Sequence, residues 1–206
     1  MKISYAITVC NELEEISHLL SILKEQLKYR PEDEICVLLD TPKASKELID
    51  LLSEYTSSNL IILKKSEFKG DFSAWKNELT EMCSGDYIFN IDADEYPTHY
   101  LLHIIPEMVQ NASVFALPRV NYVDDITGHH ITKWGWKQEE DGRINWPDYQ
   151  FRIYKNSPEI RWVGKVHERL EGYKSYAVLP AEDDCALVHI KNIKRQESQN
   201  EFYSTF

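Results

Sequence analysis

The sequence predicts an α/β protein with a mostly parallel central sheet flanked by helices, and three observations support this. Through residues 1–97, short β-branched runs alternate with segments whose apolar residues recur at helical spacing. The length of 206 residues is enough for one compact domain with a sizeable core. Hydrophobic residues make up 43% of the chain, and it has only seven glycines and eight prolines, which excludes a disordered or fibrous chain.

The first half predicts strands that alternate with helices. Buried strands are predicted where short apolar runs occur, at residues 2–9, 34–39, 59–63 and 86–91. The intervening helices have start signals: Asn11 with Glu14 forms a capping-box pattern, Pro42 suits a first turn, and Ser73 suits an N-cap. Strands that alternate with helices imply a parallel sheet with right-handed crossovers.

The second half has a different pattern. Residues 101–109 are helical in pattern, and Pro106 is expected to kink this helix or to begin a new one. Short strands are predicted at residues 114–117, 150–154 and 186–190. We expect them, with long loops, to cover the carboxyl edge of the sheet. No linker separates the halves, so we expect one domain over residues 1–206. The sequence ends in a helix-like segment, which is compatible with a fragment of a longer protein.

Charge and apolar patterning exclude several classes of protein. The formal charge is −11, which argues against a nucleic-acid partner because a nucleic-acid groove needs clustered cations. No apolar run is long enough for a membrane span or a signal peptide. The four cysteines are scattered without a CxxC pair, which favours reduced thiols in a cytoplasmic protein.

Acidic residues follow two of the predicted strands. Asp92 and Asp94 come directly after the fourth strand, and Asp40 follows the second. Ligands of parallel sheets bind at the carboxyl ends of strands, and oxygen donors suit Mg²⁺ or Mn²⁺. Tyr96 and Pro97 exclude an EF-hand loop, and glycine-rich phosphate-binding motifs are absent. The alternative is that these aspartates are solvated turn residues.

Several segments together resemble a known family, the family-2 glycosyltransferases of the GT-A fold. The segments are residues 8–12, 72–77, 85–88, 92–95, 150–154 and 162–168, with the single residues Asp40 and His189. The later segments are similar to the subgroup that includes lipopolysaccharide-core β-glucosyltransferases. The resemblance implies a Rossmann-like first half, 1–97, that binds a nucleotide sugar and a second half, 98–206, that binds the acceptor. It also implies transfer of a sugar from a nucleotide diphosphate sugar, with a UDP-sugar as the expected donor, to a hydroxyl group of a glycan with inversion at the anomeric carbon.

The resemblance also assigns residues to the donor site. Asp92 would contact the ribose or a metal, Asp94 would bind the metal, and His189 is a candidate third ligand. An acidic protein would need Mn²⁺ or Mg²⁺ to hold a diphosphate among carboxylates. The residues expected to bind the nucleotide are Thr8, Asn11, Glu12, Asp40, Lys76 and Asp92.

Inversion by direct displacement needs a base for the acceptor proton, and a carboxylate is the usual solution. Glu168 is the first candidate and Asp148 is the rival. Arg152 is expected either to face the diphosphate or to form a structural salt bridge. Trp136 and His167 are candidates for contact with the donor or acceptor sugar.

Two other functions remain open from the sequence. One is a non-catalytic module that binds a nucleotide sugar, and the other is a metal-dependent phosphohydrolase that acts on nucleotides. The sequence offers no strongly basic or amphipathic tail for docking to a membrane, although peripheral association stays open.

Overall fold

The structure, a computed structural model, describes residues 1–203. Its strands within these residues are β1 (Ile3–Val9), β2 (Glu34–Asp40), β3 (Ile62–Ser66), β4 (Tyr87–Asp92), β5 (Glu95–Pro97), β6 (Val114–Leu117), β7 (Arg119–Asp124), β8 (Gln150–Lys155), β9 (Arg161–Val163), β10 (Arg169–Glu171), β11 (Tyr176–Val178) and β12 (Leu187–Asn192). The helices are α1 (Leu13–Tyr29), α2 (Lys46–Ser57), α3 (Phe72–Thr80), α4 (His99–Met108), α5 (Gly128–Trp134) and α6 (Ile193–Tyr203). Within residues 1–203, no helix is both long enough and apolar enough to cross a membrane.

The main sheet has the strand order β11-β6-β8-β4-β1-β2-β3 within the described residues. Neighbouring strands are parallel in every pair except the two that involve β8. The predicted α/β class with a mostly parallel sheet is therefore confirmed. The third strand lies at Ile62–Ser66, a few residues later than the predicted segment 59–63.

Two segments of the second half extend this sheet rather than cover its edge. β8 lies between β4 and β6 and is antiparallel to both. The expectation that residues 114–117 and 150–154 cover the carboxyl edge was therefore wrong, because these strands complete the sheet itself. By contrast, β12 pairs with β5 and β7 in a small sheet, and β5 begins just beyond the carboxyl end of β4.

The strands of the first half are apolar on both sides because helices cover both faces of the sheet. Along β1, Tyr5 and Ile7 belong to the apolar core with α1, α2 and α4. Ala6, between them, belongs to a second apolar cluster with α3, β9 and β10. The sheet is therefore a rigid middle layer, and its carboxyl edge is the free side where loops converge.

Helix starts in the first half differ from the predictions in detail. α1 begins without a side-chain cap, so the expected capping box of Asn11 and Glu14 is not formed. Pro42 begins only a 3-10 turn, Thr41–Lys43, and α2 starts later with Ser45 as its cap. A proline at a first turn suits both kinds of helix, so the sequence signal did not distinguish them.

α3 gives a further correction, and α4 excludes one of the two alternatives for Pro106, the start of a new helix. Asp71, not Ser73, caps α3, and its carboxylate accepts from the N–H of Ala74. α4 continues through Pro106. The carbonyl of Leu102, four residues before this proline, accepts instead from Nε2 of Gln26 at 3.3 Å. A side chain of α1 thus contacts the carbonyl that a proline leaves without its helical donor.

Candidate functional site

A cavity of about 870 Å³ opens at the carboxyl ends of β1, β2 and β4. Thr8 and Asp92 are neighbours in the register of β1 with β4, and Asp40 ends β2. This is the edge at which open parallel sheets bind ligands. The predicted site residues all line this cavity: Thr8, Asn11, Glu12, Asp40, Lys76, Asp92, Asp94, Trp136, Asp148, Arg152, His167, Glu168 and His189. Their contacts indicate which of them are available to a ligand.

Glu12 holds the turn between β1 and α1. Its Oε2 accepts from the N–H groups of the two preceding residues, at 2.7 and 2.9 Å. Its Oε1 accepts from Nη2 of Arg195 at 2.8 Å. Asp40 similarly accepts from the N–H of Phe68 at 3.0 Å. These carboxylates shape the wall of the cavity on the side where the nucleotide was predicted.

Asp92 forms an ion pair with a buried arginine, and its own side chain is 35% exposed. Nη2 of Arg152 donates to Asp92 Oδ2 at 2.7 Å and to Glu95 Oε1 at 2.5 Å, and Glu95 Oε2 accepts from the N–H of Asp92. Arg152 and Glu95 are 3% and 0% exposed. Burial raises the pKa of Asp92, but the charges of Arg152 and Lys76 outweigh it and hold this pKa well below its usual range. Of the two roles expected for Arg152, its contacts support the structural salt bridge.

Asp148, the rival base, has hydrogen bonds at both carboxylate oxygens. Oδ2 accepts from Nε and Nη2 of Arg119 and from Nδ2 of Asn121, and Oδ1 accepts from Nε2 of Gln150. Burial raises the pKa of Asp148, but Arg119 and these hydrogen bonds lower it below its usual value. A carboxylate with these partners and a lowered pKa is a weak proton acceptor.

Glu168 lies at the end of the loop that joins β9 to β10. Its Oε1 is 2.6 Å from Nζ of Lys76, and the two side chains are 15% and 9% exposed. Nζ of Lys76 also lies 4.5 Å from the ring centroid of Trp162. Lys76 was predicted to lie near the nucleotide. In the structure its ammonium group contacts the carboxylate of Glu168, the candidate base, and orients it.

The segment 72–77 has this position because α3 is fastened to the β9–β10 hairpin. The side-chain amide of Asn77 pairs with the backbone N–H and carbonyl of Trp162, at 3.0 and 2.8 Å. The N–H of Phe72 donates to the carbonyl of Lys165 at 3.0 Å. In the hairpin loop, His167 adopts a left-handed conformation with φ of 56°. The motif therefore fixes the register in which Lys76 meets the loop.

Asp94 and His189 are adjacent, with Asp94 Oδ2 3.3 Å from His189 Nε2. The other ring nitrogen, Nδ1, is 2.8 Å from Asn121 Oδ1. Since Nδ2 of Asn121 donates to Asp148, Oδ1 faces the ring and Nδ1 must be the donor. Nε2 then faces a carboxylate oxygen, an arrangement that requires a proton or a metal ion between the two atoms.

This pair fits a divalent cation. Imidazole nitrogen and carboxylate oxygen are ligands of Mn²⁺. Burial raises the pKa of Asp94, but His189, Lys191 and Arg195 lower it to about 2, so the carboxylate is ionised at neutral pH. Among residues 1–203, no three His, Cys, Asp or Glu side chains are grouped to hold a metal. The predicted set of Asp92, Asp94 and His189 is therefore not grouped as three metal ligands within these residues.

The aromatic candidates differ in exposure. Trp136 lines the cavity and is half-buried, with its ring centroid 4.7 Å from that of Trp134. Trp162 is 4% exposed and donates from Nε1 to the hydroxyl of Tyr154. Trp136 therefore offers a surface for a sugar ring, whereas Trp162 belongs mainly to the core.

Several polar residues of the site were not predicted from the sequence. Those that contact predicted residues include Glu95, Arg119, Asn121, Lys191 and Arg195, which are supplied by β5, β7, β12 and α6. Glu95 had a signal, because it directly follows the two aspartates. The others are isolated polar residues that only the folded chain brings together.

The open sheet, with its cavity at the carboxyl edge and two aspartates at the end of β4, defines the GT-A class of fold. The model of the family described as Glycosyl transferase family 2 matches residues 4–165. The chain therefore belongs to glycosyl transferase family 2, and the predicted family and enzyme class are confirmed.

The chain is also similar to individual members of this class. A poly(ribitol-phosphate) beta-glucosyltransferase from Bacillus spizizenii is 30% identical over 98 residues, 47% of this chain and 15% of that protein. S. aureus TarS 1–349 in complex with UDP-GlcNAc has a TM-score of 0.64 at 16% identity, over 93% of this chain and 59% of that chain. The mannosyltransferase PcManGT from Pyrobaculum calidifontis, in complex with GDP-Man and Mn²⁺, has a TM-score of 0.55 at 13% identity, over 91% and 56%. The chain spans less than two thirds of each of these proteins, and the two structural likenesses concern the fold alone.

Proposed function

We propose that this chain transfers a sugar from a nucleotide-diphosphate sugar, specifically a UDP-sugar, to a hydroxyl group of a glycan acceptor. The observation that carries the proposal is the position of Glu168 in the same cavity as the adjacent pair Asp94 and His189. A TarS structure similar in fold holds UDP-GlcNAc. The name of the Bacillus relative supports an acceptor that belongs to a cell-surface polymer.

In the proposed reaction, Glu168 accepts the proton of the acceptor hydroxyl as that oxygen attacks the anomeric carbon. The bond from this carbon to the diphosphate oxygen breaks, and the nucleoside diphosphate leaves with the electron pair. Attack on the face opposite the leaving group inverts the anomeric configuration. Lys76 orients the base through the 2.6 Å contact. Glu168 is preferred over Asp148 because Arg119, Asn121 and Gln150 occupy the oxygens of Asp148.

The remaining assignments follow the geometry of the cavity. Thr8, Asn11 and Asp40, near the carboxyl ends of β1 and β2, are placed for the nucleoside. Asp94 and His189 would hold a divalent cation, which when bound neutralises charge on the departing diphosphate. The half-buried Trp136 and the loop residue His167 are proposed to contact the sugars.

Calorimetric titration with UDP, first with Mn²⁺ and then with excess chelator, tests the donor site. We expect UDP to bind, and to bind more tightly with Mn²⁺. Asp94→Asn should remove that metal-dependent gain. Asp50→Asn, which removes the same charge from an exposed position on α2, should behave like the wild type.

Mass spectrometry of products from a panel of UDP-sugars and glycan acceptors tests the transfer itself. A new glycosidic product supports the proposal. Binding without any transfer favours the non-catalytic module, and release of phosphate without an acceptor favours the phosphohydrolase. A wild-type chain that binds no nucleoside diphosphate in either condition would contradict the proposed site.

A further inference from the structure

The cavity is not acidic, although the chain is. Among residues 1–203, seven lysine and arginine side chains line it against six aspartate and glutamate side chains. In the whole chain the corresponding numbers are 23 and 34. The premise that a diphosphate would lie among carboxylates alone does not hold for this cavity. Cations of the chain itself are available to it.

Several of these cations are already committed to carboxylates. Arg152 bonds Asp92, Arg119 bonds Asp148, and the Lys76 ammonium lies against the candidate base. Short ion pairs of this kind leave little of the cationic charge for a ligand. A diphosphate therefore depends on cations whose pairing is weaker.

Lys191, on β12, is such a cation. Within the described residues its nearest carboxylate oxygen is Asp94 Oδ2, at 4.0 Å, which is beyond hydrogen-bond distance. Nζ donates to the neutral amide oxygen of Gln199 at 2.5 Å. The side chain is 9% exposed and lines the cavity. An ammonium group has three donors, and a buried cation whose counter-charge lies 4.0 Å away favours a further anion beside it.

Arg195 places this part of the chain next to the nucleotide side of the cavity. Its guanidinium donates to Glu12 at 2.8 Å and to Glu15 at 2.6 Å, and it lies 3.4 Å from Asp94. These contacts fasten α6, and with it the end of β12, to the turn after β1. Lys191 is thereby held beside Asp94, where the diphosphate of a nucleotide bound at the end of β1 would extend.

We infer that Lys191 binds the diphosphate group of the donor and gives the nucleotide an affinity that does not depend on a metal ion, with Arg195 as the positioning residue. This inference rests on the proposed function and assigns a residue to its donor site. It concerns binding, so it is tested with UDP and uridine and needs no acceptor.

The experiment is calorimetric titration of the full chain in excess chelator. For Lys191→Met we expect the affinity for UDP to fall at least about tenfold, the effect of losing one charge-assisted hydrogen bond. The affinity for uridine, which lacks the diphosphate, should not change. Lys194→Met is the matched control, because it removes the same charge from an exposed position on α6. Lys191→Arg should retain most of the UDP affinity.

The outcomes separate this inference from the proposed function. If UDP binds Lys191→Met as tightly as the wild type, the inference is overturned even when the wild type transfers sugar. An equal loss of UDP and uridine binding, or a lowered melting temperature that accounts for the loss, would show a structural role and also overturn it. If the wild type binds no nucleoside diphosphate, the proposed function itself fails.

Discussion

Replacement of Glu168 by glutamine removes the candidate base with little change in shape. A glutamine oxygen can still accept a hydrogen bond from Nζ of Lys76, which lies 2.6 Å from Oε1 in the wild type. Lys76 also keeps its contact with the ring of Trp162. The hairpin should therefore keep its conformation and lose only the group that accepts the acceptor proton.

The expected loss of rate follows from the surroundings of the two candidate carboxylates. A positioned general base contributes about 10²- to 10⁴-fold to a rate, which corresponds to about 3 to 5 kcal/mol of activation free energy. Oδ2 of Asp148 could otherwise replace Glu168 as the proton acceptor, but it already accepts hydrogen bonds from Arg119 and Asn121. We therefore expect kcat of Glu168→Gln to fall about 10³- to 10⁴-fold, in the upper part of that range. The affinity for UDP should change little, because Glu168 is not among the residues proposed to bind the nucleotide.

The assay is steady-state transfer from the preferred UDP-sugar, with calorimetry of UDP binding and thermal unfolding on the same samples. Asp148→Asn is the comparison, and it should lower the free energy of unfolding by about 1 to 3 kcal/mol because Arg119 loses one of its two charged partners and keeps only Glu95. Its kcat should fall less than that of Glu168→Gln. The assignment is refuted if Glu168→Gln keeps more than a tenth of the wild-type kcat while Asp148→Asn loses activity without losing stability.

Two further predictions concern stability. Burial raises the pKa of Glu34, but hydrogen bonds from Lys2 and neighbouring serines outweigh it and lower the pKa to about 2. Since this lies below the ordinary value of 4.5, the ionised carboxylate stabilises the fold above about pH 4.5 and loses this effect as the pH falls toward 2. In urea denaturation, the free energy of unfolding of the wild type should exceed that of Glu34→Gln by about 1 to 3 kcal/mol at pH 6 and by less at pH 3. The same difference at both pH values would contradict the predicted pH dependence. Gly172→Ala should be destabilised far more than Gly142→Ala, because both glycines have positive φ but only at Gly172 would the added Cβ overlap the carbonyl of Glu159. Equal melting temperatures for the two variants would contradict the steric argument.

The sequence predicted the arrangement of the first half because its signals are local. The apolar runs of β1, β2 and β4 and the leucine spacing of α1 report burial directly. Helix starts were less predictable, since several cap-forming residues occur close together. Asp71 and Ser73 are both good N-caps, and the path of the entering chain decides between them.

The place of the site could be predicted, but its internal contacts could not. The carboxyl ends of parallel strands must lie together, so Thr8, Asp40 and Asp92 line one cavity. The pairing of Arg152 with Asp92 depends on β8 lying antiparallel beside β4, across sixty positions of chain. The net charge of the chain is also a poor guide to the site, because it does not describe the balance of charged side chains around this cavity.

Asp92 and Asp94 show why a pair of like residues in a motif does not imply two like roles. Asp92 ends β4, where its carboxylate meets the buried Arg152. Asp94 lies beyond the end of this strand, where its carboxylate meets His189, whose tautomer Asn121 fixes through Nδ1. A guanidinium pairs with the first carboxylate, whereas the second lies against a ring nitrogen of His189, with Arg195 at 3.4 Å and Lys191 at 4.0 Å. The two aspartates therefore have different partners in the same cavity: Asp92 pairs with Arg152, and Asp94 lies against His189.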